Sequence, residues 1–258
     1  MKTARMHGCQ NRFVLLDASE SPNHESELEE IARATTPEID GFLVVQVNGV
    51  PEIRMVYYDR DKETGKTHRA AMCGNGIRCL ARYVFDNYKM DRKIRIITDD
   101  GPKEVYVDNN SIAVDMGPPR EFTVVRENLY LVNTSLAHLC TFDEQLSLGS
   151  SASIGRAKKT CEELAYNGKL METLHQPEGF HVNVINPHSH KRTLSIVTYE
   201  PAVNDITMAC GTGAAAAGYA ATKAFRFRFP VNVISRGGTV AVDLKENSLF
   251  LIGPAEYM

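Results

Sequence analysis

Short runs of β-branched and aromatic residues, separated by glycine, proline and polar clusters, dominate the chain. Their spacing predicts strands at Arg12–Asp17, Gly41–Gln46 and Ile53–Tyr58, then at Lys93–Thr98 and Glu104–Val107 around the turn Asp99-Asp100-Gly101. A second series follows at Leu129–Val132, Leu139–Phe142, Val182–Asn186, Thr193–Tyr199, Val231–Ser235, Thr239–Leu244 and Ser248–Ile252. Helical periodicity is rarer. Ser26–Ala34 and Ser151–Tyr166 carry one apolar stripe each and read as surface helices. Asn75–Lys89 and Thr212–Phe225 are apolar around more of their circumference, which predicts two buried central helices.

Met116-Gly117-Pro118-Pro119 marks the boundary, because two prolines end the preceding strand and stiffen the crossing. Each side then holds several strands and one apolar helix. Met72-Cys73-Gly74-Asn75-Gly76 opens the first of these helices, and Ala209-Cys210-Gly211-Thr212-Gly213 opens the second. One such turn would read as a glycine-rich bend with a packed cysteine. Two matched copies imply a twofold internal repeat.

Composition narrows the functional classes. The 258 residues suffice for a sizeable core in one large domain or two lobes. The formal charge is −3 with no basic stripe, which argues against nucleic acid. No stretch approaches the roughly 20 apolar residues of a membrane span, and the N-terminus lacks a secretory apolar region. A cytoplasmic location is the default expectation, where the six cysteines stay reduced. No C-x-x-C pair suggests structural zinc. Cys9, Cys79, Cys140 and Cys161 are expected to be packing residues.

The two repeated cysteines suggest chemistry. A helix start presents unpaired N–H groups and partial positive charge, and neighbouring glycines let a ligand approach the backbone. The N–H groups of Gly74, Asn75, Gly211 and Thr212 can hold a carboxylate, and the same field favours a thiolate. Two thiols on opposite faces of the adjacent carbon would invert it, one removing a proton and the other delivering one.

At these residues the chain resembles the diaminopimelate epimerase family. Met6-His7-Gly8-Cys9-Gln10-Asn11-Arg12-Phe13 is similar to the family's M-H-G-x-G-N-D-F, with Gln10 and Arg12 departing. Cys73-Gly74-Asn75-Gly76-Ile77-Arg78-Cys79 matches C-G-N-G-x-R-C throughout, and Tyr199-Glu200 with Thr207–Ala214 resembles the second catalytic segment. The resemblance implies an α+β fold of two pseudo-symmetric lobes, each a curled, mostly antiparallel sheet around a central helix, with the active site in the cleft. Residues 1–117 would form the first lobe and 118–247 the second, the strand near 248–258 returning to the first. It implies catalysis without pyridoxal phosphate, metal or nucleotide, and leaves open the homodimer that the family often forms. It also carries over His138 and Glu200 as residues that set thiol protonation, beside Cys73 and Cys210, and Asn11 as a substrate contact.

Departures cluster where the family grips a distal carboxylate. Pro201 stands where an arginine should follow Glu200, Leu136 and His181 replace asparagines, and Asp59 falls near a third. These changes predict a racemase for an amino acid without a distal carboxylate, with histidine as first candidate and His181 and Asp59 among its contacts. The alternative is diaminopimelate epimerase itself, converting the LL to the meso form. More distant readings are a non-catalytic amino-acid binder or a thiol redox protein pairing Cys73 with Cys79. Six residues along a helix place that last pair on different faces.

Overall fold

The computed structural model describes residues 2–258 except 21–26, 29, 32, 33, 37, 48–51, 62, 63, 190, 191 and 202. The chain divides into two compact units, Met1–Asp115 with Ile252–Met258, and Met116–Leu251. Both are built mainly of antiparallel strands with few helices, the expected α+β class.

The first unit begins with the hairpin β1 (Lys2–Gly8) and β2 (Asn11–Asp17), which pair antiparallel. A crossover leads to β3 (Gly41–Val47), parallel to β2, and then to antiparallel β4 (Ile53–Arg60) and β5 (Thr67–Ala70). Helix α1 (Gly74–Asn87) follows. After it, β6 (Lys93–Thr98) lies parallel to β4, and β7 (Gly101–Val107) and β8 (Ile112–Gly117) complete a meander. Helix α1 touches β1, β2, β3, β4 and β7, so the sheet curls around it. The other face of β2 and β3 is also covered: Leu28 and Ile39 from the crossover pack on Val14, Leu16, Phe42 and Val44. Burial on both faces explains why Phe13–Leu16 and Phe42–Val45 read as unbroken apolar runs. Of the expected surface helix at 26–34, positions 27, 28, 30, 31 and 34 are helical and the rest lie outside the described residues.

The second unit repeats the same pairings. It opens with β9 (Glu121–Arg126), then β10 (Leu129–Asn133) antiparallel to β11 (Ala137–Phe142). A crossover through α2 (Ser151–Ala165) and α3 (Gly168–Thr173) leads to β12 (His181–Pro187), parallel to β11. Antiparallel β13 (Thr193–Glu200) and β14 (Asp205–Ile206) precede α4 (Gly211–Ala224), and β15 (Val231–Ser235) then lies parallel to β13 and antiparallel to β16 (Gly238–Lys245). Each step from β10 to β16 has its counterpart from β1 to β7, including the parallel crossover and the parallel strand after the central helix. The four alanines Ala214–Ala217 are buried on every side, and their small side chains let strands approach α4 around its circumference. Helix α2 instead buries one stripe, Ala157, Cys161, Leu164 and Ala165, at helical spacing. Strand β17 (Ser248–Gly253) passes from the second unit to the first, where β18 (Glu256–Tyr257) pairs with β1.

No helix among the described residues is long and apolar enough to cross a membrane.

Candidate active site

Both repeated cysteines are helix N-caps. Cys73 and Cys210 have extended backbones (φ −134 and −122), and each sulfur accepts the N–H of the third helical residue, Gly76 or Gly213, at 3.4 Å. The first i−4 bonds, Ile77 N to Cys73 O and Ala214 N to Cys210 O, start one residue later at 2.9 Å. Gly74 and Asn75, like Gly211 and Thr212, therefore occupy first-turn positions whose N–H groups have no intrahelical acceptor. Glycine at the third position lets the sheet approach. An added Cβ at Gly76 would lie 2.7 Å from Leu43, and one at Gly213 would lie 2.8 Å from the Asn183 side chain.

In the first unit the β1–β2 turn places Asn11 beside Cys73. Cys9 and Gln10 form that two-residue turn with φ of 54 and 60, the left-handed pair a tight hairpin demands. The Cys73 sulfur lies 3.9 Å from Asn11 Oδ1, which also accepts from Asn75 Nδ2 at 3.2 Å. Asn75 Oδ1 accepts from Arg78 Nη2 at 2.9 Å. Arg78 is fully buried and also donates to the carbonyls of Gly74 and Pro254, at 3.0 and 3.2 Å. Its Nη2 further contacts Cys9 Sγ. Asp59 is held in β4, where Oδ1 accepts from the Tyr57 hydroxyl and the Arg60 N–H. Burial raises its carboxyl above the ordinary range.

In the second unit a buried polar chain runs to the cysteine. The Thr212 hydroxyl lies 3.4 Å from Cys210 Sγ and 3.0 Å from His138 Nε2. Asn183 Nδ2 meets His138 Nδ1 at 3.3 Å and Cys140 Sγ at 3.5 Å, while Asn183 Oδ1 accepts from the Thr198 hydroxyl at 2.7 Å. His138 and Asn183 are wholly inaccessible to solvent. The His138 and His181 rings lie 4.9 Å apart between centroids. Burial, with His181 as neighbour, holds His138 well below the ordinary histidine pKa, and burial lowers His181 to about 4. Both imidazoles are thus neutral near pH 7. His181 Nδ1 is buried without a hydrogen-bond partner. Glu200 accepts from the Thr207 hydroxyl at 2.6 Å. Leu136 lies partly exposed in the loop after β10, and the neighbouring Thr134 hydroxyl donates to the Thr212 carbonyl.

Ligand atoms of His138, His181 and Cys210 lie within 4.8 Å of one another. Both His138 ring nitrogens already meet side chains of the protein, Nε2 the Thr212 hydroxyl and Nδ1 the Asn183 amide. The four other cysteines are buried, and burial pushes Cys140 and Cys161 up to about 12. Cys79 is raised further still by burial, which weighs against a redox partnership with Cys73.

Sequence reasoning missed Arg78, Asn183 and Thr198. The arginine stood inside the C-G-N-G-x-R-C string. The other two stood as polar interruptions of apolar strand runs, Val182-Asn183-Val184 and Val197-Thr198-Tyr199.

Residues 3–122 match the family described as Diaminopimelate epimerase. The chain is 28% identical to the diaminopimelate epimerase of Archaeoglobus fulgidus, over 97% of this chain and 92% of that protein. It is 29% identical to that of Aquifex aeolicus, over 98% and 94%. Among solved structures, a predicted epimerase from Pseudomonas aeruginosa superposes with a TM-score of 0.71, covering 99% of this chain and 96% of the other at 11% identity.

Proposed function

We propose that the chain is a cofactor-independent amino-acid epimerase or racemase of the diaminopimelate epimerase family, with Cys73 and Cys210 as its two acid/base thiols. The observation that carries this reading is the duplicated cap: each cysteine sulfur sits on the first turn of a central helix, beside backbone N–H groups suited to a carboxylate. The N–H groups of Gly74, Asn75, Gly211 and Thr212 would stabilise negative charge as the α-proton leaves. One cysteine takes that proton, and the other supplies a proton to the opposite face of the carbon. His138 acts through Thr212 on the second thiol. Glu200, tied to Thr207, belongs to the same proton-setting group.

The names of the relatives support diaminopimelate as substrate, ahead of the histidine that the side-chain pocket first suggested. One observation favours the second reading. Pro201, in the position expected for a distal-carboxylate arginine, offers neither charge nor N–H, while the His138–His181 pair provides ring surface and an unpartnered nitrogen. Exchange of the α-hydrogen in deuterated water, assayed with LL- and meso-diaminopimelate and with L- and D-histidine, separates the two. Turnover confined to diaminopimelate establishes the first reading, and turnover confined to histidine overturns it. Cys73→Ser and Cys210→Ser should each lower kcat by roughly a thousandfold, within the range of general acid–base contributions. Full activity in either variant would falsify the two-thiol scheme.

A further inference from the structure

We infer that His138, His181 and Cys210 form a site for a thiophilic divalent cation of the zinc class, and that its occupation blocks turnover reversibly. The site follows from three side chains of the second unit alone. The inhibition rests on the two-thiol reading.

The topology brings the three together. His138 and His181 stand in register at the start of the parallel strands β11 and β12, and Cys210 caps the helix that packs on both strands. Their ligand atoms lie within 4.8 Å of one another. A tetrahedral zinc ion, with Zn–N near 2.0 Å and Zn–S near 2.3 Å, needs its ligand atoms about 3.3–3.6 Å apart, so the side chains must draw in by roughly 1 Å. Two imidazoles and one thiolate make a borderline-soft set. It suits zinc, cobalt(II) and copper, and gives magnesium or calcium little to hold. Three protein ligands leave a fourth position for water, the pattern of an open zinc site.

Two features prepare the set for a cation. Burial keeps both imidazoles neutral near pH 7, the form that coordinates. His181 Nδ1 is sealed from solvent with no hydrogen-bond partner, so coordination through it would break no existing bond. His138 faces Thr212 with Nε2, 3.0 Å from the hydroxyl. That nitrogen must give its lone pair to the metal, which puts the ring proton on Nδ1. The Asn183 amide then turns over. Its oxygen accepts from Nδ1–H and its nitrogen donates to the Thr198 hydroxyl, across contacts of 3.3 and 2.7 Å. Both neighbours allow this, since a hydroxyl and an imidazole can each donate or accept. The outcome is a carboxamide–histidine–metal relay of the kind that orients ligating imidazoles. Asn183 and Thr198 are positioning residues for the site.

On binding, the Cys210 S–H bond breaks, a sulfur–metal bond forms and the proton passes to solvent. Nothing is oxidised or reduced. A sulfur held in this way neither takes a proton from a substrate carbon nor returns one. Removing the metal with a chelator reverses the step.

The test is titration of the reduced, substrate-free protein with cobalt(II), read by absorption. Binding should raise a thiolate-to-cobalt band in the near ultraviolet together with the intense visible bands of a tetrahedral ion. Zinc should displace it and magnesium should not. Cys210→Ser should abolish the thiolate band, and Cys73→Ser should leave it. His181→Asn should weaken cobalt binding at least about tenfold, the lower end of what even outer-shell partners contribute. X-ray absorption at the zinc edge of the wild-type protein needs no variant, and should report two imidazoles and one sulfur. In the exchange assay zinc should stop turnover and EDTA should restore it. His181→Asn should raise the zinc concentration for half inhibition by the same factor as it weakens cobalt binding. A thiolate band that follows Cys73, a metal shell with several sulfurs or none, or unchanged cobalt affinity in His181→Asn would overturn the site. Binding at Cys210 without inhibition would uphold the site and remove Cys210 from the two-thiol reading. No binding, with both serine variants inactive, would overturn the site and leave that reading in place.

Discussion

The two halves share one pairing scheme and one cap geometry, yet differ in what lies beneath the cysteine turn. In matching strand positions the first half has Leu15, Leu43 and Tyr57 where the second has Cys140, Asn183 and Thr198. It likewise has Phe13 and Gly41 where the second has His138 and His181. The first half thus sets its turn on an apolar floor and brings polarity in from the helix itself, through Arg78. The second builds polarity into the sheet. Duplicated backbones can therefore carry the same thiol in different electrostatic settings, because a side chain facing the helix can change while the strand register stays.

Four changes would break or sharpen that contrast. The largest effect is expected from Arg78→Met, which strips donors from the Gly74 and Pro254 carbonyls and from Asn75. It should cost about 3 kcal/mol in chemical denaturation, since buried acceptors left unsatisfied are expensive. A loss under about 1 kcal/mol would mean the guanidinium does not organise the first half. The second concerns acid. His138 and His181 resist protonation when folded, His181 down to about 4, whereas the unfolded chain takes protons near pH 6.5. Stability from these groups is therefore intact above pH 6.5 and lost as pH falls toward about 4. Amide exchange should show β11 and β12 loosening before β2 and β3, and the opposite order would refute the contrast. Third, Gly213→Ala should cost about 2 kcal/mol and Gly76→Ala less than about 1 in thermal melts. The new methyl meets the bonded Asn183 and Thr198 in one half and the adaptable end of Leu43 in the other. Equal costs would show that the polar floor yields as readily as the apolar one. The smallest is Gln10→Gly, which should raise stability by roughly 0.5 kcal/mol by removing a side chain from a left-handed turn position. A drop in melting temperature would contradict it.

Legibility in the sequence followed the range of each signal. Both central helices could be read because their apolar character surrounds the helix, and the long strands because both faces are buried. β1 escaped because Lys2–Gly8 lacks clear alternation, and β5, β14 and α3 are too short for any period to emerge. The cysteine turns were visible because each is a contiguous string used twice. The link from Thr198 through Asn183 and His138 to Thr212 was not, because it joins three strands and a helix far apart in the chain, and no local pattern records cross-strand register.

The sulfur caps have one more consequence. In the proposed scheme the sulfur that exchanges a proton with substrate also accepts the hydrogen bond of the Gly76 or Gly213 N–H. A thiolate accepts that bond more strongly than a thiol does. Each catalytic event should therefore tighten the start of one helix and slacken the start of the other. Two glycine amides, observed by nuclear magnetic resonance, would serve as a built-in pair of meters whose opposite displacements mark the direction in which the enzyme last turned over.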